Sequence, residues 1–344
     1  MEPLTHALTS LALARAGEKR LPRFGTSIML VSGLAPDLDY ASYFGGPAAF
    51  LKFHRTLFHS LTGAAVLSCV VAGAFCLIDR RVPPKKNIQR KTPEPLSFGR
   101  ALVPSAIGGA GHIVLDVASG VGVQLLWPFR THWSSWPLTT NLDLWILILL
   151  IAGLLLPLLF RLVNEEVGER RKAGGVSRAA IFTLFLVAAY LGVRAEMHSR
   201  AIDLLLAREY HGRVALSAGA FPQSSTPFDW RGVVVTDGTI EEADVPLGPG
   251  EEFDPNRSLT HYKPEDSPAL DAAQETADVK TFLKYAEFPM ASVQRIEDGY
   301  RVEVHDLRFA SDDLAPSNVF VRVDFDSGVR MRNQAILFAA SPNP

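Results

Sequence analysis

Residues 101–126 read ALVPSAIGGAGHIVLDVASGVGVQLL, an apolar stretch whose ionisable side chains are His112 and Asp116. Its length suffices to cross roughly 30 Å of hydrocarbon at about 1.5 Å per residue. His112 and Asp116 are four apart, so a helix presents both on one face, a spacing suited to two ligands of one ion. An ionisable side chain in the middle of a span costs about 2.5–3.5 kcal/mol and is functional by default. A membrane helix carrying a metal-binding pair is therefore the first expectation, and it can be tested against the rest of the chain.

The chain has 344 residues, 48% of them hydrophobic, enough for two or three domains. Further apolar runs cover 56–78, which lacks Asp, Glu, Lys and Arg, then 144–160, and 179–193 between Arg178 and Arg194. A fourth, 24–44, is interrupted by Asp37 and Asp39, and the opening segment 3–16 is short enough to be a partial or re-entrant helix. Beyond residue 195 the apolar runs shorten and the chain turns acidic. The fold class expected is thus mainly α: a polytopic helical membrane domain over 1–195 with about five spans, followed over 196–344 by an external helix and a small antiparallel β domain. With 34 Lys+Arg against 36 Asp+Glu, no global basic field draws the chain to nucleic acid. Cys69 and Cys76 form neither a disulfide framework nor a CxxC metal motif. MEPLTHALTS lacks the basic start and cleavage site of a signal peptide, so it is expected to stay in the mature protein.

Lys and Arg in short loops mark the cytoplasmic face. They cluster at Arg15, Lys19, Arg20 and Arg23; at Arg80, Arg81, Lys85, Lys86, Arg90, Lys91 and Arg100; and at Arg161, Arg170, Arg171, Lys172 and Arg178. The connections 45–55 and 127–141 are then external, the second carrying Trp127, Trp133 and Trp136 as interfacial rings. The C-terminal domain also falls outside. In this topology His6, Asp37, Asp39, His54, His59, His112 and Asp116 share one depth, toward the external side. Singly, each has a plainer explanation, such as a satisfied core histidine, a helix cap or a hydrogen bond between helices. Together they call for a common compensation, which a divalent cation supplies. Imidazole and carboxylate without thiolate favour zinc, with manganese or iron also suitable. Pro36 predicts a break that lets Asp37 and Asp39 both turn inward. His54 and His59, five apart, are expected to straddle a helix start.

TH at 5–6, PDLD at 36–39, HRTLFHS at 54–60 and GHIVLD at 111–116 follow one another as in the inner-membrane metal-dependent hydrolases of the YbcI/YdjM type, which the first 165 or so residues resemble. The resemblance implies a membrane hydrolase, in a family of which some members are linked to LexA binding, distantly similar to zinc-dependent phospholipase C. It implies a metal shell of His6, Asp37, His54, His112 and Asp116, with His59 and Asp39 as further members. Thr56 and Phe58 stand where relatives commonly have Gly and Thr, which alters the surroundings of the histidines.

The mechanism expected is hydrolysis by metal-activated water, with Asp39 as general base and Arg55 as an anion-binding accessory suited to phosphate. The partners expected are membrane lipid and a lipid-like or phosphoester substrate at the outer interface, and a protein partner through the C-terminal domain. Two other classes remain open: an ion-binding transporter, and a regulatory membrane protein whose metal is structural. In the C-terminal domain, strands are expected over 232–236, 292–296, 300–304, 319–325 and 329–334, with turns at EDG 297–299 and DSG 326–328. The Pro-, Asp- and Glu-rich segment 241–276 is expected to be a long loop, with His261, His305 and Asp306 as outlying polar candidates.

Overall fold

The computed structural model describes residues 1–82, 94–166, 175–223, 226–250, 252–309 and 318–339, without the side chains of 161–166 and 175. Lys85, Lys86, Arg90 and Lys91, with Arg170, Arg171 and Lys172, lie outside the described residues. Two units form: one of Met1–Asp39 and Arg55–Val193, the other of Tyr40–His54 and Arg194–Pro344.

The first unit is helical. α1 (Pro3–Ala16) starts with Pro at its first position and Glu2 as cap, whose carboxylate accepts from Thr5 N–H at 3.0 Å. α2 (Gly25–Leu34) is followed by a 3₁₀ helix over Pro36–Gly45. The single span expected over 24–44 is therefore corrected: Pro36 has no N–H to continue the ladder, and ten α-helical residues reach about 15 Å. In the second unit, α3 (Pro47–Phe53) ends at His54. Back in the first, α4 (Leu61–Arg81) is capped by Ser60, whose hydroxyl accepts from Gly63 N–H at 2.9 Å. The expectation that His59 lies on this helix is corrected, since the helix begins two residues later. α5 (Phe98–Val117) also stops short of the expected 101–126. Ser119 accounts for the end: its hydroxyl donates to the Asp116 carbonyl at 2.8 Å and its N–H to the same carbonyl at 3.2 Å. α6 (Leu144–Glu166) and α7 (Gly175–Leu206) complete the unit, α7 continuing into the second.

Two described helices, Leu61–Arg81 and Val176–Leu206, are long and apolar enough to cross a membrane, and Leu144–Phe160 is a shorter apolar helix. Their outward faces carry exposed Val66, Val70, Leu77, Ile148, Leu155, Ile181, Phe182 and Phe185. Inside, Met1, Ala12, Leu115, Ile146, Leu150 and Val187 join α1, α5, α6 and α7, while Ile28, Val71, Ala72 and Ala101 join α2, α4 and α5.

α2 and α5 meet through small residues. A Cβ on Gly108 would lie 2.5 Å from the Met29 carbonyl, so backbone would have to yield. Gly108→Ala is expected to cost about 1–3 kcal/mol by overpacking, read as a lowered melting temperature of the detergent-purified protein; an unchanged one would mean that the two helices separate freely. Beside this contact Ser32 and Ser105 hydroxyls lie 2.6 Å apart, and Ser105 donates to the Ser68 carbonyl at 3.0 Å.

The second unit holds a hairpin, β1 (Glu209–Tyr210) and β2 (Arg213–Val214), and two four-stranded antiparallel sheets. One runs β3 (Ser217–Pro222), β4 (Asp229–Val235), β5 (Thr239–Pro246), β6 (Leu259–Tyr262). After α8 (Pro268–Gln274) and α9 (Ala277–Leu283) comes the other, a meander of β7 (Pro289–Ile296), β8 (Gly299–Asp306), β9 (Val319–Asp326) and β10 (Met331–Phe338). Phe221, Val233, Ile240, Phe288 and Leu307 form a core cluster, and Trp230 packs with Met197, Ala201 and Leu205 of α7.

The long loop expected over 241–276 is corrected, because β5, β6 and α8 occupy much of it. Its acidic composition misled because Glu241 is buried inside the sheet, accepting from Thr239, Ser258 and Thr260 hydroxyls at 2.8, 2.9 and 2.7 Å. Burial pushes its carboxyl up, but those hydroxyl bonds outweigh burial and hold it below its ordinary value.

Candidate metal centre

The site assembles where α2 breaks and α5 passes it. The last carbonyls of a helix lack intrahelical partners, and that of Gly33 accepts from His112 Nδ1 at 2.8 Å. This contact places the proton on Nδ1 and leaves Nε2 with its lone pair. His59 meets a different group. Its Nδ1 lies 2.9 Å from Asp39 Oδ2. With both Nδ1 atoms engaged, the two Nε2 atoms face each other at 3.0 Å.

Carboxylates close around that pair. Asp116 Oδ2 is 3.0 Å from His59 Nε2 and 3.3 Å from His112 Nε2, as the four-residue spacing on α5 foresees. Asp37 Oδ1 is 3.9 and 3.7 Å from the same two atoms. His6 stacks on His112 with ring centroids 3.7 Å apart, and its Nε2 is 3.4 Å from Asp116 Oδ1. Neither His6 ring nitrogen makes a hydrogen bond among the described residues, although the side chain is buried. Among the described residues two overlapping groups could hold a metal ion: His6, Asp37 and His112, and His59, His112 and Asp116.

The donor set fits a small divalent cation. Tetrahedral bonds of about 2.0 Å separate neighbouring donors by about 3.3 Å, and the four Nε2 and carboxylate contacts run from 3.0 to 3.9 Å.

Arg55 is buried at the same place. Its guanidinium lies 3.3 Å from Asp116 Oδ1 and donates to Ser119 Oγ at 2.8 Å. Its backbone is left-handed, φ 58°, unusual for a residue with a side chain. Two bonds hold it there: Arg55 N–H donates to Asp39 Oδ2 at 2.8 Å, and Gln124 N–H donates to the Arg55 carbonyl at 3.0 Å. Asp39, expected to be the base, thus has one carboxylate oxygen shared between the Arg55 amide and the His59 ring.

Of the expected site residues, His6, Asp37, Asp39, Arg55, His59, His112 and Asp116 come together in the first unit. His54 belongs to the second unit, where its ring stacks on Phe50 at 4.3 Å and tilts against Tyr40 at 4.4 Å. Neither metal-capable group includes it. His261 pairs with Glu242 at 2.8 Å, His305 lies 3.6 Å from Glu303, and Asp306 binds Arg308 Nε at 2.7 Å. Sequence reading missed Ser119, the Gly33 carbonyl and the Met1 amino group, which pairs with Asp116. A helix-ending Leu34-Ala35-Pro36 was the available signal for Gly33.

Residues 268–335 match the family model of the YfhP C-terminal alpha/beta plait domain, here α8, α9 and most of the β7–β10 meander. No curated protein and no solved structure matches the chain significantly. Residues 1–201 match the YdjM inner membrane protein model. That match spans the helical unit with all the residues of the candidate centre and covers more than half of the 344 residues, so the chain belongs to the YdjM inner membrane protein family.

Proposed function

We propose that this protein is a membrane-embedded, metal-dependent hydrolase acting on a phosphoester of lipid-like character. The observation that carries the reading is the pair of Nε2 atoms 3.0 Å apart, with Asp116 Oδ2 within 3.3 Å of both and Asp37 Oδ1 within 3.9 Å of both. Two imidazoles and two carboxylates converging on one point are a donor set suited to a divalent cation.

His59, His112, Asp116 and Asp37 would hold one divalent ion, zinc by donor type, with manganese or iron compatible. Bound there, the ion supplies an acidified water and a Lewis acid for an ester oxygen. Asp39 sets the tautomer and direction of His59, the arrangement that strengthens an imidazole as a donor. His6 is the group left to accept a proton. Arg55, anchored by Asp116 and Ser119, offers its remaining N–H donors to an anionic phosphoryl oxygen. Placement within the helical part of an inner membrane protein suits a substrate delivered from the bilayer.

Metal analysis of detergent-purified protein, joined to a screen of phosphoesters, carboxyl esters and lipids, tests the reading. At least one transition-metal ion per chain and turnover abolished by a chelator are expected. Bound metal without turnover of any ester would reduce the centre to a structural one.

The site is assigned to the external side, with the C-terminal unit outside, on the strength of the three basic clusters. A reporter active only outside the cytoplasm should work when fused after Pro344 and be silent within 83–95; the reverse pattern would place the site on the cytoplasmic side.

A further inference from the structure

The segment Tyr40–His54 interrupts the first unit in sequence but belongs to the second in structure. Its aromatic side chains explain why. Tyr43 stacks on Phe338 of β10 at 4.8 Å, Phe50 meets Phe338 edge-on at 5.9 Å, and Phe50 stacks in turn on His54 at 4.3 Å. Tyr40 tilts against His54 at 4.4 Å, so both ends of the segment share one aromatic cluster. Phe338 is itself held in register opposite Val319, and the following Ala339 N–H donates to the Asn318 carbonyl at 2.8 Å.

The residues on either side of this segment, Asp39 and Arg55, are both in the metal centre. They close its neck through the 2.8 Å bond from Arg55 N–H to Asp39 Oδ2, with Arg55 in a left-handed conformation. Such a conformation persists where its surroundings over-determine it. The same Asp39 oxygen orients His59, and the Arg55 guanidinium meets Asp116. The spacing of the segment's ends therefore bears on two proposed metal ligands.

We infer that Phe338 is a positioning residue for the metal centre: by clamping Tyr43 and Phe50 it holds the neck closed, and through Asp39 and Arg55 it sets His59 and Asp116. The C-terminal unit thereby controls metal affinity from a strand distant in sequence. The metal part of this inference rests on the function proposed above, whereas the closing of the neck does not.

The test uses full-length protein in detergent and two readouts: zinc affinity by chelator competition, and hydrogen exchange of the amides over 55–60. Phe338→Ala should weaken zinc binding about 10- to 100-fold, the usual cost of losing an outer partner of a ligand, and speed exchange of the Arg55 amide at least about 10-fold. Phe338→Tyr, which keeps the ring, should restore both. Tyr43→Ala removes the same stack from the other side and should behave like Phe338→Ala even where that variant folds poorly. Val302→Ala, at a buried position of β8 that β9 separates from β10, weakens the same sheet and should change neither readout. Unchanged Arg55 exchange in both Phe338→Ala and Tyr43→Ala overturns the inference, as does an equal effect from Val302→Ala. If wild-type protein binds no zinc, the functional proposal falls and the exchange measurement alone decides this one.

Discussion

Replacing His112 and Asp116 together by alanine is expected to strip the purified protein of transition metal while leaving it inserted and helical. The two side chains supply an Nε2 and a carboxylate oxygen 3.3 Å apart, half of the four donors proposed. Zinc held by a full set of protein ligands is bound by roughly 10–16 kcal/mol at neutral pH, so losing half of the set lowers affinity by several orders of magnitude. α5 itself should survive, because alanine is the best helix former and the helix is anchored elsewhere by Ala101, Ser105 and Leu115. Metal content per chain, circular dichroism and membrane fractionation on one preparation check the result. Full metal retention in the double variant would remove both residues from the proposed shell.

Asp39→Asn should lower zinc affinity by about 10–100-fold, with turnover returning to within roughly tenfold of wild type when zinc is saturating. Asparagine keeps the size of the side chain, but it replaces one acceptor oxygen by a donor and removes the charge. Its amide oxygen can take the place of Oδ2 toward the Arg55 amide and the His59 ring, at 2.8 and 2.9 Å, but as a neutral and weaker acceptor that no longer raises the basicity of His59. The orienting role therefore predicts a defect in metal binding. A base would behave oppositely: metal affinity unchanged, and turnover lower by about 10²–10⁴-fold at any zinc concentration. Zinc titrations of initial rate for both proteins separate the two, and the second pattern would return Asp39 to the role expected from sequence and release His6 from it.

Local chemistry made much of the centre legible before any coordinates. GHIVLD on an apolar helix puts His112 and Asp116 on one face because the helical repeat does so wherever the helix lies. The proline after Ala35 ends α2 by removing an N–H, which is a property of the residue itself. The turns at 297–299 and 326–328 were readable for the same reason, as were the cores of β8 and β9, whose alternation survives any packing.

What depended on partners far away in sequence was not legible. His54 and His59 look alike in HRTLFHS, yet Phe50 and Tyr40, gathered by Phe338, hold the first, while Asp39, His112 and Asp116 surround the second. Asp37 and Asp39 are two residues apart, and their division into one group facing the histidine pair and one orienting His59 from behind follows from the path of the 3₁₀ helix. Glu241 reads as a loop residue until three hydroxyls from β5, β6 and the turn before β6 enclose it. A sequence by itself determines which donors exist and how those on one helical turn relate. Which ring nitrogen faces which, and which carboxylate stands in front of an imidazole rather than behind it, is decided only when separate elements pack, because hydrogen bonds set direction and those of Arg55 with Asp39 and of His112 with Gly33 join residues 16 and 79 apart.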